Sequence, residues 1–397
     1  MSALDVIDDL AACLRTAGTM RLPLADAVGR VLRSDLRADR DSPAANVSAM
    51  DGYALRASDL RAGAELAVTG ESTPGAPPPT TPSPGEAIRI FTGAVVPLGC
   101  DAVLRREDVA EQPERIQIAA SGELPSGRHI RFQGENSTAG STILSSGSML
   151  SPGGIAAAAN FGAATLEVSR PVRVQTIVTG DELLRVDEPV QPWQLRDSNG
   201  PTLAALLRPH PWLELLPAMH VRDELERICE AVERGLQNAD ALLLTGGVSM
   251  GDYDFVPAAV QRAGGRQIFH KLPIRPGKPI FGAVGPEQQL ILGLPGNPVS
   301  AAVGTVRFGL PLLRRIAHCD PWMPSRPRVE LRDDGSLSKT LPLHWFRLVR
   351  LTGHGVVERV ATQGSGDLVS LALSSGFIEQ PPGTSGPGPW PYWSWTD

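Results

Sequence analysis

The sequence predicts an α/β multidomain protein, and three features of it point to that class. From Val172 to Ile316 apolar runs alternate with Gly-bearing loops and helix-compatible segments. That repeated β–loop–α pattern, over about 150 residues, predicts an open, mostly parallel sheet. The flanking regions differ in texture: short strands and turns dominate before residue 140 and again after Asp320. With 397 residues the chain is too long for one ordinary core, and 42% hydrophobic with 20% charged residues suits a soluble globular protein.

Taken in order, residues 1 to 37 predict two helices. Val6, Ile7, Leu10, Cys13 and Leu14 share one face, and Ala25, Val28, Val31 and Leu32 a second. In DSPAANVSAMDGYALRASDL, Asp51 and Gly52 stand in a turn before a strand at Tyr53 to Leu55. Local pattern leaves Asp51 open as turn residue or ligand. Thr73 to Gly85 is a Pro-rich surface loop. Ile88 to Ile90 and Ala102 to Leu104 predict short strands around Thr92 and Gly93, which form either an oxyanion contact or a plain β-turn. Ser151 and Pro152 predict a helix start in SPGGIAAAANFG.

The α/β region predicts a strand at VRVQTIV, a helix after DSNGP, and an amphipathic helix from Asp223 to Leu236 with Asp223 and Glu226 as its capping box. Its centre is ADALLLTGGVSMGDYDFVP, Ala239 to Pro257. An apolar run there breaks into a loop holding Gly246, Gly247, Gly251, Asp252 and Asp254, and a helix-compatible segment follows. Such a unit can hold a phosphate on backbone N–H groups and a helix N-terminus; read alone, it is equally a tight βα turn with solvated aspartates. In GLPGNPVSA, Asn297 suits an N-cap and Pro298 the first helical turn. Ligands of open α/β sheets bind beyond the carboxyl ends of the strands, so the loops at Thr179, Thr245 and Pro295 are expected to converge. After Asp320 the runs RVEL, HWFRLVRL and VVERV predict a small all-β domain. Trp390, Trp393 and Trp395 pack onto that domain or form a patch for a partner, with packing favoured.

Composition excludes several classes. A formal net charge of −6 without any basic run argues against nucleic-acid binding. Cys13, Cys100, Cys229 and Cys319 lie far apart with no CxxC, which suggests neither a zinc site nor a disulfide framework. No apolar stretch approaches a membrane span and MSALDVIDDL is no signal peptide, so a cytoplasmic location is expected. The only lysines are Lys271, Lys278 and Lys339. The first two stand close together, and Lys is a compact charge suited to phosphate or oxyanion contact.

The motifs SAMDGYA, IRIFTGAVVPLGCDAV, TGDEL, DSNGP, TGGVSMGDYD, RPGKP and GLPGNPVSA occur in that order. Together they resemble the molybdopterin molybdenumtransferase family, the bacterial MoeA proteins and the homologous C-terminal domain of gephyrin. The resemblance implies insertion of molybdate into adenylylated molybdopterin with release of AMP and involvement of Mg2+. It implies an elongated homodimer whose active cleft is shared between subunits, with the molybdopterin adenylyltransferase and molybdoenzymes as further partners. Four domains are then expected: residues 1–37 with 141–170 (helical and extended), 38–140 (β-rich), 171–319 (α/β, molybdopterin-binding) and 320–397 (small β-barrel-like).

Carried over by motif, the expected catalytic residues are Asp51, Thr92, Glu182, Asp254 and Lys278. Expected binding residues are Gly246, Gly247, Ser249, Lys271, Arg275, Pro295, Asn297, Pro298 and Ser300. Asp51, Glu182, Asp223 and Asp254 are the carboxylates expected to hold Mg2+, an ion that prefers hard oxygen ligands. Two departures stand out. Asn136 replaces the Asp usual after Gly-Glu, keeping an oxygen but losing the charge, and Arg275 replaces a common Lys. Asn136 raises an alternative: a catalytically weakened paralogue that binds the pterin, the cofactor or a partner enzyme.

Overall fold

A computed structural model describes residues 3–119, 125–249, 254–332, 335–353 and 355–396. Two compact units make up the chain: Met1–Ser34, Ser146–Ile155 and Ala164–Asp397 form one, Asp35–Ser145 and Ala156–Ala163 the other.

The larger unit is built on a seven-stranded sheet. Its order in space is Leu213–Leu215, Val172–Thr179, Ala241–Thr245, Leu290–Leu294, Phe281–Val284 and Arg266–His270, with Met219–Val221 also paired to Val172–Thr179. The sheet is mixed. Val172–Thr179 runs parallel to its neighbours and Ala241–Thr245 parallel to Leu290–Leu294, whereas Phe281–Val284 is antiparallel to the strands on both sides. The five residues from Gly285 to Gln289 are too few for a crossover helix, so those two strands must form a hairpin.

Ala241–Thr245 and Leu290–Leu294 are buried throughout, which is why both read as continuous apolar runs. Successive side chains take opposite faces. Leu242 and Leu244 pack with Ile228, Val232 and Val260 from the helices Leu225–Asn238 and Val256–Arg262. Ala241 and Leu243 pack with Leu10, Leu203, Leu207 and Val303 from Ala3–Ala12, Asn199–Leu207 and Pro298–Gly304. That last helix widens to a π-turn at Thr305–Gly309 and continues to Ile316.

The C-terminal segment closes a barrel. Arg328–Leu331, Val356–Arg359, His344–Gly353, Gly376–Gln380 and Trp390–Ser394 each pair with two others of the set, and Ile274–Arg275 adds in parallel to His344–Trp345. Trp390 and Trp393 are buried, so the aromatic tail packs into its own domain. A buried ion pair supports the barrel wall: Arg307 Nε donates to Glu379 at 2.7 Å, and His344 Nδ1 lies 2.9 Å from the same carboxylate.

Two local expectations fail. The second N-terminal helix is absent: Thr19–Pro23 is a strand paired with Thr165–Ser169, and only a 3-10 turn spans Leu24–Asp26. Gly29, at φ 74°, takes the chain out of helical geometry, and Val31 and Leu32 bury as isolated β-bridges to Met149 and Val168. The capping box also fails, because Glu224 occupies the N-cap and no side chain caps that end. Asn297 does occupy an N-cap position, without a side-chain cap bond.

The smaller unit holds a six-stranded sheet in the order Ala102–Arg105, Gly52–Leu55, Glu86–Ile90, Glu65–Ser72, Arg115–Ile118 and Val109–Gln112. Gly52 is required there, since a Cβ would lie 1.9 Å from the Leu104 carbonyl oxygen. That close approach places Asp51 at the exposed end of the strand pair.

Candidate active site

The loops that leave Thr179, Thr245 and Leu294 converge on one cleft of about 1020 Å3. Glu182, Asp197, Asp223 and Asp254 bring carboxylates to it, Arg196 is the cation among its lining, and Gly246, Gly247 and Ser249 form one wall. Gly246 has φ 90°, and a Cβ on it would meet the Thr179 carbonyl oxygen at 2.5 Å, so only glycine lets the two loops touch. Gly251 and Asp252 lie outside the described residues.

Asp223 is released from helix capping and faces this cleft. Burial pushes its carboxyl above the usual range, and the nearby Glu182 carboxylate adds to that. Its Oδ1 is buried and has no partner within strict hydrogen-bond geometry, although the nearby Thr179 hydroxyl offsets part of the effect of burial. Asp197 is buried as well; Oδ1 accepts the Gly200 N–H at 2.9 Å and Oδ2 lies 2.9 Å from His220 Nε2. Asn199 Nδ2 donates to the Gly296 carbonyl at 2.8 Å, tying the DSNGP turn to the Pro295–Pro298 turn.

A second cavity, of about 660 Å3, shares Pro279, Pro295 and Asn297 with the first. Arg275, Lys278 and Ser300 line it from the α/β side, and Trp345, Arg347, Arg359 and Ser365 from the barrel. The Arg347 guanidinium lies 4.6 Å from the centroid of the Trp345 ring. Lys271 lines neither cavity; its N–H donates to the Ile280 carbonyl at 2.8 Å.

In the smaller unit, Asp51 Oδ1 accepts both the backbone N–H and the hydroxyl of Thr92, at 2.8 and 2.7 Å. Those two bonds hold the Asp51 carboxyl below its usual range. Arg131 donates to Glu135 at 2.6 Å and to Asn136 Oδ1 at 3.0 Å, which holds the Glu135 carboxyl low. Among the described residues no three His, Cys, Asp or Glu side chains cluster closely enough to cage a metal. The acidic cleft fits a different kind of ion site, one that takes one or two carboxylates and completes itself with water and substrate phosphate, as Mg2+ does. Asp223, with its unpartnered oxygen, and Glu182 are suited to it.

Residues 2–162 match the family model of the MoeA N-terminal region (domain I and II), and residues 175–315 the one described as "Probable molybdopterin binding domain". The molybdopterin molybdenumtransferase of Synechococcus elongatus is 38% identical over 375 residues, covering 91% of this chain and 90% of its own length. The chain belongs to the molybdopterin molybdenumtransferase family. The Bacillus subtilis member is 31% identical over 377 residues, covering 91% of this chain and 86% of its own length. A crystal structure of the molybdopterin biosynthesis MoeA protein from Pyrococcus horikoshii OT3 aligns over 99% of both chains, with a TM-score of 0.83 at 25% identity. No helix among the described residues is long and apolar enough to cross a membrane.

TGDEL, DSNGP, TGGVSMGDYD, RPGKP and GLPGNPVSA fall on the α/β side of the two cavities, and no motif falls on the barrel side. Arg347 and Arg359 sit in the ordinary strand runs HWFRLVRL and VVERV, where neither spacing nor composition marks them. Asp197 and Asn199 were visible as part of DSNGP, whose turn chemistry masks their place on the cleft wall.

Proposed function

We propose that the protein inserts molybdate into adenylylated molybdopterin and releases AMP, completing the molybdenum cofactor. One observation carries this reading: an acidic cleft and a cavity whose charged lining residues are all basic meet at Pro279, Pro295 and Asn297. A free oxyanion suits the basic cavity, a phosphate-linked substrate suits the acidic cleft when a cation accompanies it, and the shared turn brings their reacting ends together.

In the cleft, Gly247 and Ser249 present backbone N–H groups to phosphate oxygens, while Gly246 shapes the turn, its own N–H being donated to the Leu294 carbonyl. Glu182, Asp223 and Asp254 would hold Mg2+, which would supply charge neutralisation at the phosphates. Lys278 and Arg275, with Ser300, bind the oxyanion and stabilise charge that shifts as AMP leaves; Lys271 adds positive potential at longer range. Asn297 and Pro298 fix the turn between the two pockets. The subunit is four-domained, with the boundaries given above, and works as a homodimer in which Asp51 and Thr92 are contributed by the partner subunit. The molybdopterin adenylyltransferase supplies the substrate and molybdoenzymes receive the product, in the cytoplasm. Release of AMP from adenylylated molybdopterin, dependent on molybdate and Mg2+ and abolished by chelation, tests the reading; a parent protein that releases no AMP sinks it.

A weakened paralogue is the second reading, and Asn136 favours it. Its oxygen is spent on Arg131, which Glu135 already neutralises, so no carboxylate remains at that position. Asn136→Asp then raises AMP release at least about ten-fold, as a restored acid–base or metal contact would. A variant no faster than the parent rejects this reading.

A further inference from the structure

The loop between Glu182 and Asp197 displays large apolar side chains that folding does not explain. Trp193 is 73% exposed, Val186 60% and Leu195 59%. Its shape is held by other means. Leu183–Leu184 and Leu195–Arg196 pair in parallel at its base, and Arg185 pairs with Asp187. Arg196 Nε donates to the Glu188 carbonyl at 3.1 Å, and Gln191 N–H donates to Gln194 Oε1 at 3.1 Å. Clustered exposed apolar groups on a loop already fixed by polar contacts mark a surface kept for binding. Val186, Val190, Gln194 and Leu195 line the acidic cleft, and Trp193, which is not itself a lining residue, immediately precedes two residues that are. From the barrel side Leu368 lines the same cleft. The other six tryptophans are buried or half-buried, which makes Trp193 the one exposed indole of the chain.

We propose that Trp193 is a stacking platform for a planar heteroaromatic ring of the substrate. The inference rests on the proposed activity, whose substrate carries two such rings, the pterin and the adenine. The lining of the cleft offers carboxylates, one arginine, a glycine-rich turn and aliphatic side chains, but no aromatic ring. A flat indole on the loop that borders the cleft supplies what those groups lack, a contact that reads a ring face and excludes water from it. Stacking on an aromatic side chain tolerates either ring, so the geometry names the chemistry and the experiment decides the ring.

The experiment compares the full-length parent with Trp193→Ala and Trp193→Phe, by AMP-release kinetics and by acrylamide quenching of tryptophan emission. The expected result is a KM for adenylylated molybdopterin raised about ten-fold in the Ala variant with kcat nearly unchanged, and mostly restored in the Phe variant. In the parent, AMP alone or pterin alone shields the exposed indole from acrylamide, and whichever does so is the stacked ring. An unchanged KM in Trp193→Ala, or failure of both ligands to shield, overturns the proposal while leaving the activity intact. An altered oligomeric state with unchanged KM also overturns it, by assigning Trp193 to a subunit contact. If the parent releases no AMP, the activity fails; shielding by pterin or AMP would still uphold the stacking site, and no shielding would reject it too.

Discussion

The two cavities share a turn and differ in sign. Glu182, Asp197, Asp223 and Asp254 line one; Arg275, Lys278, Arg347 and Arg359 line the other, with no Asp or Glu among its lining residues. The difference has a structural origin. Carboxylates come from the loops at the carboxyl ends of parallel strands, while the basic set comes from the RPGKP turn and from a barrel that reaches it through one short pairing, Ile274–Arg275 against His344–Trp345. In the proposed reaction each cavity thereby selects by charge: a free oxyanion is drawn to the basic one and repelled by the other, and a phosphate ester enters the acidic cleft with a cation. Separation of charge does the sorting that shape alone would do poorly for a small tetrahedral ion.

Removing what holds the basic wall gives the largest expected effect. Arg307 and Glu379 are both buried, and Glu379 lies on the strand paired with the one that carries Trp345 and Arg347. Glu379→Ala strands a buried guanidinium and is expected to cost about 3–5 kcal/mol, read as a fall in denaturant midpoint. A loss under about 1 kcal/mol would show that the pair is not what supports this wall. Burial by itself would raise the Glu379 carboxyl, but His344 and Arg307 outweigh it and hold the group low. The pair's stabilisation is therefore present above the ordinary carboxylate range and fades as pH falls through the lowered folded value.

Lys278→Ala comes next. It is expected to lower AMP-releasing turnover about a hundred- to a thousand-fold, the scale of losing one positioned charge at a developing oxyanion. The affinity for AMP alone, measured by calorimetry, should stay as in the parent. If AMP affinity falls along with turnover, the two cavities act as one site and the contrast in charge has no division of labour behind it.

How much of this was legible in the sequence depends on the range of the contacts involved. TGG, RPGKP and GLPGNP stand out because a tight turn needs Gly and Pro at fixed places, and the structure sets all three on a cavity wall. Arg347 and Arg359 were not legible: they join the cavity that Lys278 lines only because residues 274 and 344 pair across seventy positions of sequence. Helical spacing misled at Val31 and Leu32, whose burial is real but is reached through β-bridges. Asp223 is the most instructive case. An acidic residue two positions before a helix looks like a cap, yet its backbone N–H donates to Asp181 and its carboxyl turns to the cleft.

Arg359→Gln sharpens the comparison from the barrel side. Arg359 lines the basic cavity at an exposed position, where solvent screens its charge. The expected effect is a rise of several-fold, about 1 kcal/mol, in the KM for molybdate, with kcat and pterin affinity retained. The rise should shrink in 0.5 M salt; a salt-independent loss would mean that Arg359 supports the wall and does not attract the ion.

The smallest effect tests the acidic side through stability. Burial raises the Asp223 carboxyl, so the folded state binds its proton more tightly than the unfolded chain does. A group of that kind contributes stability below its unfolded pKa and loses it as pH rises through the folded value. At neutral pH the ionised carboxylate is thus a net cost, reduced by its partial exposure. Asp223→Asn is expected to gain stability, by less than about 1 kcal/mol, at pH 7, and the gain should vanish on acidification below the ordinary carboxylate range. The same variant should lose Mg2+-dependent AMP release. A variant that is destabilised at pH 7 would show the carboxylate to be a structural hydrogen-bond acceptor, and the cleft would then have one fewer charge to spare for a cation. Stability gained with activity lost is the pairing expected where a fold holds an unfavourable charge for its chemistry.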